Sequence, residues 1–412
     1  MGVEENTNNT THTDPFEAPS LFLWNEDREK LADVDGYFFG AGFSYEDRGR
    51  SGMIAARDPL MQFMVEEALR GKAVIGNCNG AQILVESGLI PLDSGLRMSL
   101  ARNAIRTEGG WSSPGFLNEW VWITPSCTRD RCATSDWSGA IHIPIAHGEG
   151  RFTTKDRDIM KELEKNDQLA FSYCDASGRV STDPVVTPNG SECAIAGICN
   201  PAGNVVALMP HPERTTNGDP YFDSLRRWIE THPWRSEQWT VKSEKWKVKS
   251  EQRADVRVTL PLRESSGTEI FIDTIIVNNE ERSVEQALRR ILPNVTLKQL
   301  RYARLLDGTV PDVLSHVSFF NPHKEIAYIR RRGSVTRWNS VTKSEEPSDD
   351  IFEKRITVLR RNEPATPSRP LGEGSQTGIC YVCSDVDETE FRRSDLQEIF
   401  ANPHAAILER LL

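Results

Sequence analysis

No apolar run in this 412-residue chain reaches the ~18–20 residues that a helix needs to span a bilayer. Residues 1–13 are polar, and no basic segment there leads into an apolar one, which excludes the usual secretory signal pattern. Cysteine is scarce, with 8 in the chain, too few for a disulfide scaffold. A cytoplasmic protein with reduced thiols is therefore expected. Basic residues are outnumbered, 49 against 60 acidic, for a net charge of −11. That excludes nucleic-acid binding driven by bulk positive charge. A phosphate-cradling glycine loop and a dinucleotide fingerprint are both missing, so no nucleotide site is marked.

What is present is ordinary globular composition, 38% hydrophobic and 26% charged, over a length that suggests two or three domains. The acidity is uneven. Residues 1–250 carry 35 acidic and 26 basic side chains, net −9; residues 251–412 carry 25 and 23, net −2. Up to about residue 232 the pattern alternates between short apolar runs and helical spacing. Strands are expected at 35–39, 73–75, 120–123, 141–145, 194–198 and 205–209. Helices are expected at 59–70, 82–87 and 221–229. Most of these strands are apolar on both faces, as in a sheet covered on both sides.

Residues 233–254 then hold a tandem seven-residue repeat, SEQWTVK and SEKWKVK, with Trp239 and Trp246 as its large apolar pair. One aromatic per heptad does not make a coiled coil, so this reads as a linker or a docking segment. From 255 the pattern is α+β. A strand is expected at 270–277, a helix at 283–291 and a returning strand at 299–305. FFNPH at 319–323 and FANPH at 400–404 lie 81 residues apart, which suggests a tandem, about 255–335 and 350–412.

The segment with the most chemistry is AVIGNCNGAQ, residues 73–82. A strand meets Gly76-x-Cys78-x-Gly80 and then a helix. A nucleophile on a sharp strand-to-helix turn needs neighbours without side chains. Cys78 would lie at a helix N-terminus, whose dipole favours thiolate, and the Asn79 N–H would face a developing oxyanion. Downstream, a strand runs into MPHPER. His211 and Glu213 are two residues apart, so on an extended segment both project to one side. The carboxylate would fix the imidazole and the imidazole would serve the thiol.

GFSYED at 42–47, NCNGAQILVESGLIP at 77–91, IPIAHGEGRF at 143–152, AGICNPAGNV at 196–205 and MPHPER at 209–214 follow one another in this order. The series resembles the class I glutamine amidotransferases, and within them the glutaminase subunits of phosphoribosylformylglycinamidine synthases. The resemblance implies a flavodoxin-like, doubly wound α/β domain over 1–232. It implies Cys78 as nucleophile toward glutamine, His211 as proton carrier and Glu213 as its orienter. Ala41, Gly42 and Asn79 would serve the oxyanion through backbone N–H groups, and Gln82 would hold substrate. His147 and Glu149 would lie at the site or at a partner interface. Two departures stand out. Gly40-Ala41-Gly42 replaces the family's Pro-Gly-Gly, so the Ala41 Cβ would alter the turn. Thr7-Asn8-Asn9 stands where the family has a strand running into Gly-Thr-Asn-Cys, and no apolar strand precedes it; a strand would have to come from upstream or from another segment.

The pattern beyond 255 is similar to the small subunit of the same synthase, a module that joins glutaminase to synthetase; an unrelated α+β interaction domain is the other reading. The implied reaction is hydrolysis of glutamine through a cysteine thioester, with ammonia passed to a synthetase partner. That partner would convert formylglycinamide ribonucleotide to the amidine with ATP and Mg, so no cofactor is expected in this chain. A catalytically weakened adaptor, or a glutaminase serving another acceptor, are the other functions the residues allow. Cys127, Cys132, Cys380 and Cys383 would make a zinc site only if two domains brought them together, so no metal is expected. Arg330–Arg332 and Arg360–Arg361 read as solvated strand ends, or as contacts to a phosphate or an acidic partner.

Overall fold

The computed structural model describes residues 20–23, 26, 28–31, 33–92, 95–232, 234, 256–306, 308–365, 371 and 375–411. The heptad repeat at 236–249 and Thr7-Asn8-Asn9 lie outside them. By contacts the chain divides into Met1–Val34 and Asp35–Leu412. The described part of the first includes a short 3-10 helix, Arg28–Leu31, and a 2.7 Å ion pair between Lys30 and Glu26.

In the second unit, the first eleven strands are β1 (Gly36–Phe39), β2 (Ala73–Asn77), β3 (Ser99–Arg102), β4 (Ile105–Thr107), β5 (Gly110–Ser112), β6 (Leu117–Pro125), β7 (Ile141–His147), β8 (Glu149–Thr153), β9 (Phe171–Cys174), β10 (Ile195–Cys199) and β11 (Val205–Leu208). Seven of them form one sheet in the order β1-β2-β11-β10-β9-β6-β7. The β1-β2-β11 edge is parallel and the remaining pairs are antiparallel. Helices α1 (Pro59–Leu69), α2 (Asn79–Glu86), α3 (Arg157–Lys165) and α4 (Asp219–Thr231) accompany it, giving the expected doubly wound α/β fold. α1 starts where Asp58 accepts from the Leu60 N–H and Pro59 fills the first turn. α4 covers one face, burying Tyr221 and Trp228 against Ile75, Phe171 and Leu208. Among the described residues β1 is an edge strand.

The strands beyond 255 are β12 (Leu262–Arg263), β13 (Thr268–Thr274), β14 (Thr296–Leu305), β15 (Glu325–Arg331), β16 (Ser334–Asn339), β17 (Ser344–Pro347), β18 (Ile356–Asn362), β19 (Gln376–Ser384) and β20 (Ala406–Leu411). They form a single nine-stranded sheet, β12-β20-β18-β19-β14-β13-β15-β16-β17, antiparallel except at β12–β20. Helices α5 (Asn279–Arg289), α6 (Val310–Leu314), α7 (Glu388–Phe391) and α8 (Ser394–Phe400) pack on it. The topology repeats: β13 lies between β14 and β15 as β18 lies between β19 and β20, and an Asn-Pro-His loop precedes the third strand of each run. β14 and β19 pair at the centre.

The two sheets are interlocked through residues 48–57. Met53 and Ile54 are buried in the core formed by Val284, Leu288, Leu396 and Phe400. Arg360 Nη1 donates to the Gly49 carbonyl at 2.6 Å. The second Asn-Pro-His loop grips the front domain: Asn402 Nδ2 donates to Glu86 Oε1 at 2.9 Å and to the Met98 carbonyl at 3.0 Å, and Thr154 Oγ1 lies 3.2 Å from His404 Nδ1. Among the described residues the first loop makes no such grip, and His323 is exposed.

Two arginines correct the expectation of solvated strand ends. Arg330 is buried, because its Nε donates to buried Glu269 at 2.8 Å and its guanidinium lies over the Phe271 and Phe352 rings. Arg360 is buried because the sheet–sheet contact uses it. Of the four cysteines considered for zinc, Cys380 and Cys383 lie on β19 and Cys127 and Cys132 in a loop of the front domain, and among the described residues no group of three or more His, Cys, Asp or Glu could hold a metal ion.

Candidate active site

Cys78 sits between β2 and α2 with φ 52° and ψ −107°, a strained conformation for a residue with a side chain. The glycines on either side make this turn possible. A Cβ on Gly76 would lie 2.6 Å from the Gly80 carbonyl, and one on Gly80 would lie 2.1 Å from the Phe39 carbonyl oxygen. The helix therefore starts close against β1 and β2, and Cys78 is left at the carboxyl end of the parallel strands. Its N–H donates to the Leu208 carbonyl at 2.8 Å, and its Sγ lies 3.6 Å from the Ala146 carbonyl.

β11 is the parallel neighbour of β2, with Leu208 paired to Asn77, so the segment after β11 leaves the sheet beside Cys78. His211 is fully buried there, and its N–H donates to the Pro144 carbonyl at 2.9 Å. The expected extended geometry is corrected: Pro212–Arg214 is a 3-10 turn. The turn still brings His211 Nδ1 to 2.6 Å from Glu213 Oε1. Nδ1 then carries the proton, and Nε2, which has no hydrogen-bond partner among the described residues, presents its lone pair. Burial would raise the Glu213 carboxyl, but the hydrogen bonds from His211 and the Asn77 amide hold it below its ordinary value.

Asn77 and Tyr221 extend this chain. Tyr221 O–H donates to Asn77 Oδ1 at 3.2 Å, and Asn77 Nδ2 donates to Glu213 Oε2 at 3.2 Å. Both residues are fully buried. Sequence reasoning missed them; their signal is a polar Asn closing an otherwise apolar strand and a Tyr on the buried face of α4.

A cavity of about 340 Å³ opens on Cys78. Gly42, Asp47, His147 and Glu149 line it, and exposed Phe43 and Phe116 stand at its rim. Asp47 ends a run of three left-handed residues, Tyr45, Glu46 and Asp47, at φ 52°, 57° and 55°. The 147–150 loop is bolted by Asn103, whose Nδ2 donates to the His147 carbonyl at 2.8 Å and whose Oδ1 accepts from Gly150 N–H at 3.2 Å. Gly150 must lack a side chain, since a Cβ there would lie 2.2 Å from the His147 ring. Burial and the nearby His211 push His147 down to about 3, so its ring is neutral.

The sequence that builds this turn matches a family. The model of the CobB/CobQ-like glutamine amidotransferase domain fits residues 5–242, more than half of the chain. The chain belongs to that family. As a glutamine amidotransferase it is similar to the phosphoribosylformylglycinamidine synthase subunit PurQ of Methanothrix thermoacetophila, 39% identical over 229 residues, 51% of this chain and 87% of the relative. The subunit PurQ of Symbiobacterium thermophilum is 40% identical over 195 residues, 47% of this chain and 76% of that one. Among solved structures, PurLQS from Thermotoga maritima aligns at 29% identity with a TM-score of 0.36, covering 48% of this chain and 82% of that chain. The family match ends before the nine-stranded sheet begins.

For the candidate residues of this amidotransferase, the structure brings Cys78, His211 and Glu213 to the ends of neighbouring strands. Gly42 and Glu149 line the cavity with His147. Ala41 is exposed and is not among the lining residues. Gln82 lines the cavity, but its amide is committed: Oε1 accepts from Asn79 Nδ2 at 2.9 Å and Nε2 donates to the Glu149 carbonyl at 2.5 Å. Asn79 Oδ1 in turn accepts from the Ser44 N–H at 3.1 Å.

The expected thiolate is also corrected. Burial pushes the Cys78 thiol up to about 12, outweighing the Asn79 N–H and the Arg214 charge that pull it down. A thiol with a raised value is protonated at neutral pH. Alkylation of Cys78 by iodoacetamide in the ligand-free chain is therefore expected to rise about tenfold per pH unit between about pH 7 and 9. Peptide mass spectrometry would read it, and a plateau in that window would contradict the buried-thiol assignment.

Proposed function

We propose that the chain is a cysteine-dependent glutaminase and the ammonia-producing component of a phosphoribosylformylglycinamidine synthase. The observation that carries this reading is the strand–Cys78–helix turn beside a buried imidazole whose Nδ1 is held by Glu213 and whose Nε2 is open. Sγ attacks the γ-carboxamide carbon while His211 Nε2 takes the thiol proton. The tetrahedral oxyanion meets the Asn79 N–H. Collapse breaks the C–N bond, His211 returns the proton to the leaving nitrogen, and ammonia departs from a γ-glutamyl thioester. Water then attacks the thioester, His211 takes its proton, and glutamate and the free thiol are released.

Ammonia would pass to a synthetase partner, which would use ATP and Mg to convert formylglycinamide ribonucleotide to the amidine in the cytoplasm. The PurQ relatives support this acceptor. Residues 1–232 would form the glutaminase domain, 233–254 the linker and 255–412 the module that joins it to the synthetase. The repeated topology around β13 and β18 supports reading that module as a tandem.

Diazo-oxo-norleucine tests the proposal, because it alkylates an activated cysteine through a glutamine-like pose. With the synthetase present, it is expected to form an adduct on Cys78 and to stop glutamine-dependent amidine formation while ammonia-dependent formation continues. No adduct on Cys78 in that complex would sink the enzyme reading.

A further inference from the structure

A second cavity, of about 230 Å³, lies where the front domain meets the nine-stranded sheet. It adjoins the Cys78 cavity and shares Arg102, Ser113 and Glu149 with it. The sheet itself opens this space. Pairing of β18 with β19 ends at Arg360–Ile379, although β18 runs on to Asn362 and β19 begins at Gln376. Continuing that register sets Asn362 opposite Thr377, and both line the cavity. Side chains two apart on a strand share a face, and so do directly opposed ones. Arg360, Asn362 and Thr377 therefore project to one side, the side on which Arg360 meets the front domain at Gly49.

Arg360 also lines the cavity and is 6% exposed. Its Nη1 donates to the Gly49 carbonyl at 2.6 Å and to the Phe400 carbonyl at 3.5 Å, and its guanidinium lies over the Tyr381 ring. Among the described residues no carboxylate pairs with it, and its Nε and Nη2 have no hydrogen-bond partner. The other charges around the cavity are matched. Arg50 is spent on Glu86 and two carbonyls. Arg102 stands 3.6 Å from Glu149, and Lys155 stands 2.5 Å from Glu363. Arg361 Nε donates to Glu409 at 2.7 Å. A buried charge left unpaired is costly, so the partner of Arg360 has to come from the cavity.

Nε and Nη2 form a fork that meets two oxygens of one anion. The Asn362 amide and the Thr377 hydroxyl, which also have no partner among the described residues, can meet further oxygens. A carboxylate offers two oxygens, and a phosphate offers more. We propose that this cavity binds a small phosphate-bearing anion, inorganic phosphate or a phosphate monoester, through the Arg360 fork with Asn362 and Thr377. None of these three residues lines the Cys78 cavity. Because Arg360 also ties β18 to Gly49, the bound anion stabilises the junction of the two sheets.

Calorimetry and thermal unfolding of the full chain test this. The probes are sodium phosphate, glycerol 3-phosphate and succinate, against chloride of equal ionic strength. At least one phosphate compound should bind with a dissociation constant below about 1 mM and raise the unfolding midpoint. The tighter of the two tells the free ion from the monoester. Succinate should bind at least about tenfold more weakly than that compound. Asn362→Asp sets a carboxylate on the same face as Arg360, where it occupies the fork and repels an anion. It should weaken phosphate binding at least about tenfold, and Thr377→Val about threefold. A cooperative unfolding transition in chloride shows that both variants are folded. If neither phosphate compound binds below about 1 mM, or if both variants bind as the parent does, the site is wrong. Succinate bound as tightly as phosphate would overturn it equally.

Discussion

Replacing Cys78 with alanine will lower glutamate release from glutamine by about 10⁴-fold or more, and replacing it with glycine will do the same. Both remove the sulfur on which the proposed thioester would form. The two variants should part company in stability. At φ 52° and ψ −107° the cysteine is in a conformation that a Cβ resists. Alanine keeps that conflict and glycine ends it. The Cys78→Gly chain should therefore be the more stable of the two by about 1 kcal/mol, the reverse of the order at an ordinary buried position. Thermal or denaturant unfolding of both variants measures this. An alanine variant as active as the parent would end the nucleophile assignment. An alanine variant more stable than the glycine one would mean the turn is not strained.

Substituting Arg50 with methionine will destabilise the chain by about 3–5 kcal/mol at neutral pH. Arg50 holds Glu86 with two hydrogen bonds of 2.9 and 2.6 Å, and donates to the Ile399 and Glu398 carbonyls at 3.1 and 2.6 Å. Glu86 lies at the end of α2, the helix that begins at Cys78, and is almost fully buried. Without Arg50 its carboxylate would keep, among the described residues, Arg57 at 3.9 Å and the Asn402 amide. The pH dependence has a definite sign. Although burial would raise it, Arg50 holds the Glu86 carboxyl below its ordinary value. Its contribution is present above the unfolded value of about 4.5 and is lost as pH falls through the lower folded value. In the methionine variant the folded value rises, so the stability gap should be widest near pH 7 and narrow in acid. Denaturant midpoints at pH 7 and pH 4 provide the check; an equal gap at both would mean that Glu86 is not the group left stranded.

The front section was legible because its signals are local. The Gly76–Gly80 spacing reports a clash between adjacent elements, and the His211–Glu213 spacing reports a hydrogen bond over two residues. Even there the 3-10 turn was invisible, since Pro212 rather than strand alternation decides the backbone. The thiolate expectation weighed the helix dipole and could not weigh burial, which depends on β7 and the 147–150 loop closing over the sulfur. Asn77 and Tyr221 act together across 144 positions. Beyond 255, the 81-residue spacing of the Asn-Pro-His loops matches two runs of strands with the same order. What no spacing could show is that both runs join one sheet, or that the buried Arg330 and Arg360 answer a carboxylate and a carbonyl from distant segments.

Met53 and Ile54 carry a consequence for biosynthesis. They are translated well before the residues that cover them, which reach to Phe400. At about 5–20 residues per second, these two apolar side chains wait on the order of tens of seconds for their cover. The stretch that waits is continuous with the Asp47–Ser51 wall of the cavity. Completion of that wall is thus tied to a segment translated much later, and the nascent chain passes through an interval in which these two apolar side chains stand uncovered.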